Sequence, residues 1–153
     1  MTEPKPQTSE GAGVSTERPS VLFVCVKNGG KSQMAAALMR RLVGDAVAVE
    51  SAGTEPGTAI NALSAQSLIE VGVDIAHEVP KPVTHGLIAA ADLVVTLGKE
   101  ARVEAEDGTP VENWDTDEPS LRGVEGIERM RLVRDDIDDR VHRLAARLTA
   151  AGA

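Results

Sequence analysis

Residues 20–25, SVLFVC, run without a charged side chain straight into the turn Asn28-Gly29-Gly30. A run this short, rich in β-branched residues and apolar at successive positions, predicts a strand covered on both faces, the habit of a parallel sheet. The residues after the turn change period. Met34, Ala35, Leu38 and Leu42 fall on one face of a helix, Arg40 and Arg41 lie outside it, and Gly44 is placed to cap its end. The opening of the chain is therefore a strand, loop, helix unit.

The same alternation continues. AVAVES (46–51) predicts a second strand, and NALSAQSLIEVG (61–72) a second helix with a glycine stop. After a loop carrying Pro80 and Pro82, Thr84 is placed to cap a short helix through Ala91. DLVVTL (92–97) predicts a buried strand and PVENW (110–114) a weaker one. In the last segment Ile127, Met130, Val133, Ile137, Val141, Leu144 and Leu148 recur at steps of three or four, which predicts a long helix with one packed face. Asp135, Asp136, Asp138 and Asp139 are expected on its solvated side. Strands separated by helices imply right-handed crossovers and an α/β domain over residues 20–150: a flavodoxin-like, doubly wound, four-stranded parallel sheet flanked by helices. Residues 1–19, rich in Pro, Thr, Ser, Glu and Gly, are expected to form a flexible tail.

Charge and cysteine count narrow the chemistry. The formal net charge of −8 repels nucleic acid and anionic lipid, so an anionic substrate needs a locally positive site. Cys25 is the only cysteine, which excludes an internal disulfide and a multi-thiolate metal site. His77, His85 and His142 show no ligand spacing, so no metal is expected. Neither a secretory signal nor a membrane-length apolar run is visible, and a cytoplasmic protein is expected.

CVKNGGKS (25–32) is one residue away from each of two anion-binding loops. A glycine at Cys25 would complete the nucleotide-binding pattern G-x-x-x-x-G-K-[ST]. That reading also needs a strand ending in a magnesium-binding aspartate, whereas Asp92 begins its strand. An arginine at Lys31 would give Cys-(x)5-Arg-Ser, a thiolate held over an oxyanion. Here the strand-to-helix turn aims backbone amides and the positive end of the helix at one spot, and Gly29 and Gly30 allow the backbone to form the cradle. Cys25, favoured as a thiolate by those amides and by Lys31, is then a nucleophile. In the bland alternative it is a buried cysteine that ends a strand.

VLFVCVKNGGKSQMAAAL resembles the opening of the low-molecular-weight protein tyrosine phosphatase superfamily, which includes arsenate reductases of the same fold. SAGT (51–54), VVTL (94–97) and WDTDEPS (114–120) follow in the family's order, and RMRLVRDDIDDRV resembles the last helix of its arsenate-reducing branch. The resemblance spans nearly all of residues 20–148. It implies that Cys25 is the nucleophile, that Val26, Lys27, Asn28, Gly29, Gly30, Lys31 and Ser32 form the oxyanion cradle, and that Lys31 stands where the family has arginine. Asn28 would order the loop and Ser32 support the thiolate. The general acid of the family's Asp-Pro motif would be Glu118, with Asp117 as the alternative.

Departures from the pattern refine the expectation. Lysine offers one mobile ammonium in place of a planar two-point donor, so phosphatase activity should be poor. With no tyrosine, and only Phe23 and Trp114 as large aromatics, an aryl substrate has little to stack on. Gly98 stands where thioredoxin-linked arsenate reductases carry a resolving cysteine. The loop lysine and the Glu-Pro acid loop resemble those of arsenate-mycothiol transferases. That resemblance implies arsenate reduction with mycothiol as co-substrate and mycoredoxin as partner, and no bound cofactor. A weak phosphatase and a non-catalytic oxyanion-binding or phosphocarrier module remain alternatives.

Overall fold

The computed structural model describes residues 18–104 and 108–152. Four strands, β1 (Ser20–Cys25), β2 (Ala48–Gly53), β3 (Leu93–Leu97) and β4 (Val111–Trp114), form one parallel sheet in the order β2-β1-β3-β4. The helices are α1 (Lys31–Val43), α2 (Ala62–Ile69), α3 (His85–Ala90) and α4 (Gly126–Gly152). The chain leaves β1 toward β2 and returns across it to β3, so strand order reverses beside the carboxyl end of β1. This is the expected α/β architecture, and the reversal point is where such sheets bind ligands.

Strand alternation divides the core between the two faces. Val21, Phe23 and Cys25 of β1, with Leu93, Val95 and Leu97 of β3, meet the buried faces of α1, α2 and α4. Leu22, Val24, Ala52 and Val94 point the other way, against Ile88 of the short α3. Phe23 and Trp114 pack with ring centroids 5.7 Å apart and are 0% and 5% exposed, so both large aromatics belong to the core. On α4, Met130, Val133, Ile137, Val141 and Leu144 are buried, as their spacing predicts.

Some boundaries differ from expectation. β2 begins and ends two residues later than predicted, because Gly44–Ala46 closes α1 with a short 3-10 turn and the β1 pairing carries β2 on to Gly53. Gly44 caps α1 at φ +56°, but Leu42 is 42% exposed and Met39 takes the predicted core position. α2 stops at Ile69, short of Gly72, which turns the chain at φ +84°. Thr84 caps α3 as predicted, its Oγ1 accepting the Leu87 N–H at 3.1 Å. Residues 1–17 of the predicted tail lie outside the described residues. The Pro19 carbonyl accepts the Ala48 N–H at 2.8 Å, so β1's pairing with β2 already begins there. Asp92 accepts the Ser20 N–H at 2.9 Å and ties the amino ends of β3 and β1 together, a structural task far from the carboxyl-end site. Among the described residues no helix is long and apolar enough to cross a membrane.

Charges fasten α2 to α4. Arg131 and Arg134 both donate to the Glu70 carboxylate, at 2.6 to 3.1 Å, and these bonds, Arg131 foremost, lower its pKa from 4.5 to about 2. Because folding lowers this pKa, the cluster stabilises the fold fully above about pH 4.5, and its contribution is lost as pH falls through about 2. In urea denaturation at stepped pH, Glu70→Gln should be less stable than the parent at pH 6, the difference closing toward pH 2. A difference independent of pH would contradict this.

Candidate active site

The loop between β1 and α1 is shaped by where its carbonyls go. Those of Cys25, Val26, Lys27 and Gly29 accept the N–H groups of Thr54, Glu55, Gly57 and Asn61 at 2.7 to 3.0 Å, so the loop is laced to the segment that follows β2. With these carbonyls turned away, the loop presents N–H groups to the cleft, continued by the unpaired first amides of α1. Such close lacing requires Gly53, where a Cβ would lie 2.7 Å from the Val26 carbonyl oxygen, and Gly29, where one would lie 2.9 Å from that of Ala59.

Asn28, 0% exposed, is the loop's hub. Its φ of +54° lies in the left-handed region, which asparagine tolerates better than most residues. Its N–H donates to the Cys25 sulfur at 3.2 Å, and its Nδ2 donates to Ser32 Oγ at 2.7 Å and Ser51 Oγ at 3.1 Å. Its Oδ1 accepts from the Lys81 N–H at 3.0 Å and from Gln33 Nε2 at 3.2 Å, which fixes the amide's orientation. Ser32 Oγ, which accepts from Asn28, lies 2.9 Å from the Cys25 sulfur, within hydrogen-bond reach of it. The sulfur thus accepts the Asn28 N–H and has the Ser32 hydroxyl beside it, so two polar groups hold it at the base of the loop.

Cys25, Lys27, Gly29, Gly30 and Lys31 line a cleft of about 1080 Å³ whose far wall comes from Asp117, Glu118 and α4. The predicted residues of the loop and acid segment are thus brought together; Val26 also lines the cleft, and Asn28 and Ser32 support it from behind. The two predicted acids are placed differently. Glu118 pairs through Oε1 with Lys31 Nζ, and its Oε2 lies 3.7 Å from Arg129 Nη2. Asp117 instead takes a two-point bond from Arg122, both contacts 2.9 Å, and this guanidinium holds its carboxyl below the usual range. Gly98 adopts φ +91°, and a Cβ there would stand 3.8 Å from Lys31 Nζ, so this wall of the cleft is open backbone. Among the described residues no cluster of His, Cys, Asp and Glu could hold a metal ion.

Several contributors escaped sequence reasoning. Asp136 was expected to face solvent, yet it accepts the Asp117 N–H at 2.8 Å, while Arg140, four residues on, binds both Asp136 and the Asp115 carbonyl. Together they clamp the acid loop to α4. The other three aspartates pair locally with Arg134, His142 and Arg143. An i,i+4 Asp-Arg pair signals only a charged helix surface, and nothing in its spacing reports the loop it holds.

The family model for low molecular weight phosphotyrosine protein phosphatases matches residues 20–153. The chain belongs to this family. Its relatives include a protein named as a putative arsenate reductase of Halobacterium salinarum, 32% identical over 78% of this chain and 85% of that one. Among solved structures, a thioredoxin-dependent arsenate reductase of Corynebacterium glutamicum superposes with a TM-score of 0.75 at 34% identity, covering 90% of this chain. The present chain spans 65% of that protein's length, less than two thirds. An arsenate reductase in a phosphate-binding state gives a TM-score of 0.74 at 28% identity, over 85% of this chain and 98% of that one. Membership in this phosphatase family sets aside the nucleotide-loop reading of CVKNGGKS, in agreement with the position of Asp92 at the wrong end of β3.

Proposed function

We propose that this protein is an arsenate reductase that works as an arsenate-mycothiol transferase. The observation that carries the reading is a lone cysteine sulfur, held by the Asn28 N–H and the Ser32 hydroxyl at the base of an amide-lined loop, in a sequence with no second cysteine. Such a site can bind and activate an oxyanion, but it cannot complete a reduction by forming a disulfide within the chain. The arsenate-reductase relatives support the substrate. The choice of mycothiol rests on Lys31 in the loop and Glu118-Pro119 in the acid segment.

In this mechanism arsenate binds in the amide cradle beside Lys31, with Cys25 against arsenic. Glu118 protonates the departing oxygen, which leaves as water as an arsenic–sulfur bond forms. Asp117 is the alternative acid; its carboxylate is turned to Arg122, whereas that of Glu118 reaches Lys31 in the loop. The mycothiol thiolate then attacks arsenic, the bond from arsenic to Cys25 breaks, Cys25 leaves as thiolate, and mycothiol carries the arsenic away as an arsenic(V) thiol adduct. A mycoredoxin thiolate then attacks the adduct's sulfur; two electrons pass to arsenic, arsenite leaves, and a mixed disulfide remains. Phosphate ester hydrolysis is disfavoured by the single ammonium of Lys31 and by the burial of both large aromatic rings in the core.

The test supplies arsenate, mycothiol and mycoredoxin together and follows arsenite. Turnover should require both thiol components, with glutathione or thioredoxin giving roughly background rates. Equal turnover with thioredoxin alone would contradict the mycothiol assignment, and tight arsenate binding without turnover under any thiol would make the chain a binding module.

A further inference from the structure

We propose that Arg129 is a second cationic arm of the oxyanion site and contacts the bound anion directly. This rests on reading the Cys25 loop as an oxyanion site. Two ion pairs line the outer cleft, Arg122 with Asp117 and Lys99 with Asp115 at 4.0 Å, and Lys27 and Glu100 add one charge of each sign. At the inner end two cations, Lys31 and Arg129, share the single carboxylate of Glu118. A local positive surplus in a chain of net charge −8 marks a place for an anion.

The guanidinium itself is underused. Its Nη2 stands 3.7 Å from Glu118, beyond a good hydrogen bond, and its Nε is buried with no acceptor among the described residues. Buried donors in native proteins are nearly always satisfied, so an unsatisfied guanidinium on a residue that lines the cleft points to a ligand that completes it. Arg129 also restores what Lys31 lacks, because its planar fork can grip two oxygens of a tetrahedral anion. When Glu118 carries the proton destined for the leaving oxygen, it neutralises neither cation. Lys31 and Arg129 are then both left to face the anion.

Calorimetric titration with arsenate, and separately with phosphate, tests this without any thiol. Arg129→Gln should weaken oxyanion binding about tenfold or more, and Arg129→Lys by less. The loss should persist when Arg129→Gln is made in a Glu118→Gln background, since a direct contact does not depend on the carboxylate. Unchanged affinity on adding Arg129→Gln to Glu118→Gln would overturn the inference, leaving Arg129 a positioning residue for Glu118. Should Arg129→Gln fold poorly by circular dichroism, the Arg129→Lys comparison decides on the same criterion. Failure of the unmodified chain to bind either anion would overturn both the inference and the loop reading beneath it.

Discussion

Replacing Asn28 with alanine is expected to lower folding stability by about 3 kcal/mol and to cut arsenate turnover by roughly 100-fold or more. The side chain makes four hydrogen bonds that only an amide can make at once: two donated, to Ser32 and Ser51, and two accepted, from Lys81 and Gln33. Alanine removes the mate of the buried Ser32 and Ser51 hydroxyls and of the part-buried Lys81 N–H, and each buried orphan costs about 1–3 kcal/mol, partly relieved by water and local shifts. The rate falls for a separate reason. Without Nδ2 to engage its oxygen, the Ser32 hydroxyl is free to rotate away from the Cys25 sulfur. Asn28→Gly separates these effects from backbone strain, because glycine accepts the left-handed φ of +54° without penalty. Urea denaturation and an arsenite assay should place Asn28→Gly close to Asn28→Ala. A glycine variant as stable and active as the parent would mean that only the backbone conformation matters.

Cys25→Ser should be the most damaging single change to activity, lowering turnover by on the order of 10⁴-fold while leaving oxyanion affinity within about threefold of the parent. Serine preserves the side chain's shape and its bonds to Ser32 and the Asn28 N–H, so the cradle stays intact. What it loses is nucleophilicity: an alcohol needs a strong base beside it, and among the described residues no histidine lines the cleft. Calorimetry and the coupled arsenite assay on one preparation check both halves. Retained turnover would show that the arsenic–sulfur bond forms only on the small thiol, with Cys25 a bystander.

What could be read from the sequence follows from how local its causes are. The runs VLFVC and LVVTL announce β1 and β3 because a strand buried on both faces needs apolar residues at every position. Steps of three and four from Met130 to Leu144 likewise announce α4. Composition alone puts β2 two residues early, because its end is set by pairing with β1. Helical spacing puts Leu42 in the core, yet the turn at Gly44–Ala46 leaves that end of α1 uncovered.

The site divides in the same way. Cys25, Asn28, Lys31 and Ser32 lie within eight consecutive residues, so one loop discloses them. Glu118 became visible only through resemblance to a family motif. Arg129, Asp136 and Arg140 could not be seen, because their task is to meet, across the fold, a loop whose position the final helix itself fixes. The bonds that turn the loop's carbonyls outward come from backbone amides of residues 54–61, and backbone donors leave no trace in side-chain identity.

The most direct test of the account is diffraction from crystals of the Cys25→Ser protein soaked in arsenate. The oxyanion should sit inside the loop, within hydrogen-bond reach of the N–H groups of residues 26–32 and of Lys31, with the oxygen of residue 25 turned toward arsenic. Arsenate bound only at the rim, on Lys99 or Arg122, with the loop empty at saturation, would contradict the claim that this turn is where the chemistry begins.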